Sequence, residues 1–410
     1  MGTKKQKKGK PFDYESFERD AIEKLAQGKG LIGPEGALTG LIKRILEASL
    51  DGEMDAHLDM GETPNRRNGH TEKQVKTALG PIGISPPRDR LGSFEPVLLP
   101  KWERTLTPEL EEQMVSMYSM GNSYEDIRGH MARMYGIEYS TGFISSVTDR
   151  VWQEVETWRN RPLLSMYAFV YLDAIHYKVR EEGMVTTKAV YSVLGVDMEG
   201  NREALGLYIG QEEGAKHWGR VLESLRDRGV QDVLFFCVDG LKGFSEAIEG
   251  VFPQSIVQRC IVHMIRTSLK NVAYGDYKAI CRDLRTVYAA PDRLSAEAAL
   301  VVFGDKWDEK YPEIHQKWEE SWLELSAYFD YPQAVRRVIY TTNAVEALHR
   351  QMRKVTKTKG AFVSEKALLK LLYLMLKYKR KSWERKVHAW AEVARVLQRE
   401  FTERIEKHKV

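Results

Sequence analysis

Residues 233–240 read VLFFCVDG: six apolar side chains in a row, then Asp239, then Gly240. A continuous apolar run of that length, stopped by turn residues, fits a strand covered on both faces. Strands of this kind lie inside sheets flanked by helices. The acid at the end has two readings. It can form the turn, or a rigid strand can hold a carboxylate out for chemistry. A second apolar run upstream, "AFVYL" from Ala168 to Leu172, also reaches an acid, Asp173.

The surrounding pattern supports one sheet. "TTKAVYSVLGVD" and "REALGLYIG" flank the turn "MEGN" and predict an antiparallel hairpin. "GAKHWGRVLESLRDRG" predicts an amphipathic helix, and "LKGFSEAIEGVF" and "SIVQRC" predict a short helix and a short strand after Asp239. The order is β-β-β-α-β-α-β, with Asp173 and Asp239 expected to end the first and fourth strands. Residues 264–335 carry no strand signal and are helical, with Trp307, Trp318 and Trp322 expected to pack in a core. Beyond them, Thr342 or Asn343 can cap a helix whose Val345, Leu348, Met352 and Val355 form one apolar stripe. Glu346 lies beside that stripe, followed by Arg350, Arg353, Lys354 and Lys357. "SEKALLKLLYLMLKYKRK" predicts a core helix, and a last helix is expected to carry Trp383, Val387, Trp390, Val393 and Leu397.

The N-terminal part differs in character. A lysine-rich tail leads to a helix over "LTGLIKRILEASLDGEMDAHL", with Pro34 near its start. Gly and Pro then break residues 75–101 into short strands and an extended arm. Arg66, Arg67, Arg88 and Arg90 are candidate phosphate contacts. From Pro108 three short helices are expected, broken at Gly121-Asn122 and Gly136, with Ser123 and Ser140 or Thr141 as caps. Two short helices around a tight turn are the helix-turn-helix layout, in which the last helix would read DNA.

Composition narrows the function. With 43% hydrophobic residues the chain can build a sizeable core. Three cysteines, Cys237, Cys260 and Cys281, argue against a disulfide framework. No apolar run approaches the roughly 20 residues that span a bilayer, and the lysine-rich start lacks the apolar segment of a secretory signal. Cytoplasmic residence and no membrane partner are expected. Net charge is +4, yet residues 341–410 hold 18 basic and 7 acidic side chains. A basic C-terminal segment on a mildly acidic body points to a polyanionic partner.

Asp173, Asp239 and Glu346 are the acids that stand out, and only the fold can bring them together. Crowded carboxylates repel, and one tends to stay protonated. A divalent cation removes that penalty, and two ions about 3.5–4 Å apart can clamp the oxygens of a phosphoryl displacement. Each acid also has a plain role open to it, as a strand-end turn former or a first-turn helix charge.

The chain resembles the DDE transposases of bacterial insertion sequences in the Mutator-like superfamily. The resemblance rests on "DGEMDAHL", "RNGHTEKQVKTALGPIGISPPRDRLGSFEP", "YLDAIHYKVR", "VDGLKGF", "QRCIVHMIR" and "YTTNAVEALHRQMRKVTKTKGAF", in that order along nearly the whole chain. It implies an α/β catalytic core with an RNase H-like mixed sheet, interrupted by an all-α insertion, behind a mainly helical N-terminal DNA-binding region. On that frame residues 1–28 are tail and linker, 29–100 the helical and extended DNA-binding region, and 101–160 the helix-turn-helix-like domain. Residues 161–263 and 336–380 are the two parts of the core, 264–335 the insertion, and 381–410 a C-terminal helix. The resemblance implies that Asp173, Asp239 and Glu346 bind two Mg²⁺ per active site, with Mn²⁺ as a substitute. It implies cleavage at terminal inverted repeats, strand transfer into target DNA, at least a dimer at synapsis, and a bacterial, nucleoid-associated protein. Cys260 and His263 match a Cys-x-x-His motif of the superfamily; the spacing alone would suit half a zinc site, but no second pair accompanies it, and local packing or backing the active site beneath Asp239 is expected instead. His176 and Lys242 are weaker phosphate candidates, and His349 stands where many relatives carry Asn. An RNase H-like nuclease or resolvase would use the same acids, and a domesticated DNA-binding protein would need only residues 29–160.

Overall fold

The computed structural model of the chain describes residues 13–31, 35–60, 64–77, 80–102, 108–210, 215–240, 243–340 and 343–408. It divides into two compact units, Met1–Tyr118 with Asn122–Arg150, and Ser119–Gly121 with Val151–Val410.

The first unit is built on the helix Thr39–Met60. Pro34, expected at its start, lies outside the described residues. Two antiparallel ribbons follow: β1 (Arg67–His70) pairs with β4 (Pro87–Asp89), and β2 (Lys73–Thr77) pairs with β3 (Gly80–Ile84). Leu50, Val75, Ile82, Ile84 and Leu99 close a small core between helix and ribbons. The three expected helices are present at Pro108–Ser119, Tyr124–Tyr135 and Thr141–Asp149. Ser123 and Asp126 form a reciprocal capping box on the second, and Gly136 ends it at φ 63°. Ser140, not Thr141, caps the third through the Phe143 N–H.

The second unit holds a five-stranded sheet. Its strands are β5 (Met166–Glu181), β6 (Met184–Val196), β7 (Arg202–Gly210), β8 (Asp232–Val238) and β9 (Ile256–Arg259), in the spatial order β7-β6-β5-β8-β9. The first three run antiparallel, and β5, β8 and β9 run parallel. The helices Ala215–Asp227 and Phe244–Val251 make the parallel crossovers. Trp218, Val221, Leu222, Phe244 and Ile248 pack onto Val170, Leu172, Val233 and Phe236 in one buried cluster. The C-terminal segments cover the other face, where Phe169 meets Trp390 and Tyr177 meets Phe362 edge-on.

Two expectations fail here. Asp173 does not end its strand, because β5 continues to Glu181. Past Asp173 the side chains alternate, with Ile175, Tyr177 and Val179 buried and His176, Lys178 and Arg180 exposed. A two-residue loop with both Glu182 (φ 50°) and Gly183 (φ 82°) left-handed joins β5 to β6. Those angles match the right-handed twist of a hairpin, but a glutamate in the first position hides the signal. Nor is the last helix continuous. Arg380–Trp383 is a short turn, and the chain resumes as helices Trp390–Glu400 and Thr402–Lys407. Between them the Val387 N–H donates to the Gly200 carbonyl, and Ala389 sits at φ 54°.

The segment expected to be an insertion, residues 264–335, holds helices and no strand, from Ile261–Ser268 to Gln333–Ile339. Its tryptophans are structural. The indole N–H of Trp307 donates to Asp283, that of Trp318 to Ser268, and that of Trp322 to Glu297.

Candidate active site

The β5–β8 register pairs Leu172 with Val238. The next residue on each chain is an acid, so Asp173 and Asp239 stand side by side on strands about 4.8 Å apart. Gly240 turns the chain away at once, at φ +89°, and a Cβ there would lie 1.9 Å from Arg259 Nε. Arg259 on β9 occupies that space, donating through Nη2 to the Gly240 carbonyl at 3.0 Å and through Nη1 to Ser321. The glycine is thus required by backbone conformation and by close approach together.

Glu346 comes from the helix Asn343–Thr356. Thr342, one expected cap, lies outside the described residues, and Asn343 opens the helix. Val345, Leu348, Met352 and Val355 are all buried, as the stripe predicts. Glu346, His349, Arg350 and Arg353, at i, i+3, i+4 and i+7, share the other face. An open cleft of about 410 Å³ is walled by Asp173, Glu346, His263 and His349. Arg266, Arg350 and Arg353 add its positive side. Arg266 Nη1 lies 2.8 Å from Glu346 Oε1.

The electrostatics are those of crowded acids. Burial first, then the Asp239 charge and more weakly that of Glu346, push the Asp173 carboxyl up to about 7, against the pull of His263 and the Ala174 N–H. The Ala174 N–H donates to Asp173 Oδ1 at 2.8 Å, and Oδ2 faces His349 Nδ1 at 3.4 Å. Burial, then Arg353 and His263, lower the His349 imidazole to about 4, so the ring is neutral near pH 7. Its Nε2 lies 3.1 Å from the hydroxyl of Ser192, which the β5–β6 register sets directly across from Asp173.

Cys260 is buried, and its backbone N–H donates to the Val238 carbonyl at 2.8 Å, one residue before Asp239. It begins the short helix that carries His263 into the cleft. The side-chain hydrogen bond with Cys260 raises the His263 imidazole, burial opposes it, and the Asp173 and Asp239 charges add to the rise, which reaches about 9.

The other sequence candidates are scattered. Arg353 and Arg350 face the cleft, whereas Lys354 and Lys357 are exposed outside its walls. In the first unit Arg67 is held by Asp51 at 2.5 Å and Asp55 at 2.7 Å, so two carboxylates already meet its charge. Arg66, Arg88 and Arg90 are exposed. Between the last two, Asp89 is buried. Burial would raise its carboxyl, but hydrogen bonds from Asn65 and Ser93 outweigh that and hold it well below the usual range. His176 is exposed on the face of β5 opposite Asp173, and Lys242 lies outside the described residues. Sequence reasoning missed Arg266 and Ser192 and set His349 aside. Arg266 could have been found from its three-residue spacing after His263.

The donor set suits a hard cation: carboxylate oxygens that repel one another, with Asp173 pushed toward neutrality, are what Mg²⁺ or Mn²⁺ relieves. Among the described residues no three of His, Cys, Asp and Glu stand close enough together to hold a metal ion between them. Glu346 spends its charge on Arg266 instead.

Comparison with known proteins adds an independent line. Residues 15–386 match the family described as Transposase, Mutator family. The chain is 43% identical over 385 residues to a probable transposase for an ISRM3-like insertion sequence element of Sinorhizobium fredii, covering 92% of this chain and 96% of that protein. It is 43% identical over 291 residues to a probable insertion sequence transposase of Corynebacterium diphtheriae, covering 71% of this chain and 84% of that one. The transposase of IS256 in transposon Tn4001 of Staphylococcus aureus is 27% identical over 315 residues, 76% of this chain and 80% of its own length.

Proposed function

We propose, from the premise that the chain belongs to the Mutator family of transposases, that it cuts and joins insertion-sequence ends with Asp173, Asp239 and Glu346. The sheet order β7-β6-β5-β8-β9 with its antiparallel and parallel halves supports an RNase H-like core. The observation that carries the reading is that Asp173 has an acid on two sides: Asp239 on the neighbouring strand and Glu346 across the cleft. A strand register sets Asp173 beside Asp239, and the Glu346 helix faces the same cleft.

Asp173 and Asp239 would hold the divalent cation, with Glu346 as the further oxygen donor once it leaves Arg266. When bound, the cation neutralises the carboxylates and polarises the reacting oxygens. The chain's own residues do the rest. Arg350 and Arg353, on the Glu346 face, supply charge-assisted contacts to the phosphate being cut. Water adds to phosphorus, the bond to O3′ breaks, and the element keeps a free 3′-OH. That hydroxyl then adds to a target phosphorus and displaces a target 3′-oxygen, with no covalent protein–DNA link. The first unit, with Arg66, Arg88 and Arg90 exposed and the helix Thr141–Asp149, is the reader of the terminal repeats. Synapsis of two ends calls for at least two copies of the chain.

The test is strand cleavage and transfer on a labelled duplex carrying the terminal repeat, with Mg²⁺ or Mn²⁺. Asp173→Asn, Asp239→Asn and Glu346→Gln should each abolish both steps while gel-shift binding to end DNA survives. Double variants should lose no more than single ones, since the acids act as one unit. A folded Asp239→Asn protein that still cleaves near the wild-type rate rejects the assignment.

A further inference from the structure

We propose that His349 is a positioning residue for Asp173, holding its carboxylate ready for the cation through Nδ1–H while Ser192 fixes the ring from the other side. The inference rests on the metal-binding reading of Asp173. It goes further in assigning a role to two residues that no acid motif contains.

The geometry is a chain of three side chains. Asp173 Oδ2 faces His349 Nδ1 at 3.4 Å, and His349 Nε2 meets Ser192 Oγ at 3.1 Å. All three are buried: Ser192 is 0% exposed, His349 4% and Asp173 5%. They come from β5, β6 and the Glu346 helix, so the chain ties the two strands to the element that brings the third acid.

One neutral ring can bear one proton, and the surroundings choose where. A hydroxyl has one hydrogen to give. Ser192 can spend it on Nε2 at 3.1 Å or on the Met352 sulfur at 3.9 Å, and the nearer nitrogen is the stronger acceptor. If Nε2 carried the proton instead, the bare Nδ1 lone pair would face the carboxylate whenever Asp173 is ionised, as it must be to hold a cation. Donation from Ser192 therefore places the proton on Nδ1, the ring nitrogen 3.4 Å from Asp173 Oδ2. The Ala174 N–H already holds Oδ1. The hydrogen bond on Oδ1 and the imidazole beside Oδ2 together restrict the carboxylate at the wall of the cleft.

Amide substitutions separate this role from simple packing. Asn places its Nδ2 where His places Nδ1, and keeps a donor to Asp173. Gln places its amide nitrogen near the Nε2 position, and keeps the Ser192 link but loses the donor. The measurement is Mn²⁺ binding to the full-length protein without DNA, by electron paramagnetic resonance of the free ion, alongside thermal melts. His349→Asn should bind Mn²⁺ within about 3-fold of wild type, whereas His349→Gln and His349→Ala should bind about 10–100-fold more weakly, the usual cost of losing a partner behind a ligand. Ser192→Ala should fall between, because the ring keeps its place but not its tautomer. Asp173→Asn is the control for the parent reading. If it binds Mn²⁺ as wild type does, the metal assignment itself is wrong. If it fails to bind while Gln and Asn at position 349 behave alike, or while His349→Ala binds normally, the positioning role is overturned and the metal site stands. A His349→Ala protein that does not fold leaves the Asn–Gln contrast to decide.

Discussion

Removing the charge of Asp173 should make the metal-free protein more stable while destroying its chemistry. The folded chain holds this carboxyl up at about 7, against an ordinary value of 3.8. A raised carboxyl binds its proton more tightly folded than unfolded. Between those two values the native state therefore carries more protons than the unfolded chain, and stability falls as pH rises. Well below pH 3.8 both states are protonated and the cost vanishes. Above pH 7 it is complete, at about three pH units or about 4 kcal/mol. Asp173→Asn never ionises, so it escapes that cost. Its amide Oδ1 still accepts from Ala174, but its Nδ2 would face the His349 Nδ1–H and force the ring to its other tautomer. A net gain of about 2–3 kcal/mol at pH 7.5 is the expectation, after allowing about 1 kcal/mol or more for that contact.

The assay is a melt in EDTA across pH 5 to 8, read by calorimetry. For the second unit, which spans Val151–Val410 and a short piece before it, about 1 kcal/mol moves the midpoint about 2 °C. The variant should therefore melt about 4–6 °C above wild type at pH 7.5, and the gap should shrink toward pH 5, where less than half of the cost has developed. Added Mg²⁺ should raise the wild type and leave the variant unmoved, because only a carboxylate gains from the cation. An equal gap at pH 5 and pH 7.5, or a variant that melts below wild type at both, refutes the view that Asp173 is kept under electrostatic load.

Gly240→Ala should cost about 2 kcal/mol or more in urea, since strained backbone costs about 1–3 kcal/mol and Arg259 must also yield its place; cleavage should fall with it as Asp239 shifts. A variant within error of wild type in both would show that the turn tolerates a side chain. Changing Arg350 and Arg353 together to Gln should weaken binding to all DNA sequences alike and flatten the log–log salt slope by about 0.9 per lost phosphate contact. An unchanged slope, measured by fluorescence anisotropy, puts the phosphate elsewhere. Arg404 donates to both oxygens of the buried Asp232, so Arg404→Ala should cost about 3 kcal/mol; chemical denaturation with no loss would mean the carboxylate finds water.

Much of the second unit was legible because its strands advertise themselves. A strand covered on both faces must be apolar at every position, and 233–238 is. The helices around it carry their apolar stripes at helical spacing, so Val345, Leu348, Met352 and Val355 were readable as a buried edge before any coordinate. What failed was the end of things. The sequence of 168–172 predicts a strand that stops at the first acid, because an acid in a covered strand is costly unless something meets it. The structure supplies what meets it: the Ala174 N–H, His349, and an opening in the cover. His349 was illegible for a related reason. Its partners lie 157 and 176 positions earlier in the chain, and no local pattern records a contact at that distance. The N-terminal arginines show the opposite failure. Arg67 and Arg88 look alike in sequence, yet one is spent on Asp51 and Asp55 and the other faces solvent.

The acid-glycine pair that closes VLFFCVDG can now be judged on structure. A mere turn former at Asp239 would need only a flexible residue after it. Gly240 is more constrained than that, because a guanidinium fills the volume a side chain would take and donates to the glycine's own carbonyl. The turn is therefore pinned from β9, and Cys260 pins it again through the Val238 carbonyl. Two anchors on the end of one strand do little for a solvent-facing loop. They make sense if the carboxylate just before the glycine must keep a fixed place beside Asp173, where its charge raises a neighbour at a cost in stability. A fold that selection had tuned for stability alone would lose by keeping two acids there. The cost is tolerable only if something is gained when a cation arrives, and the pH dependence of the Asp173→Asn melt measures how large that standing cost is.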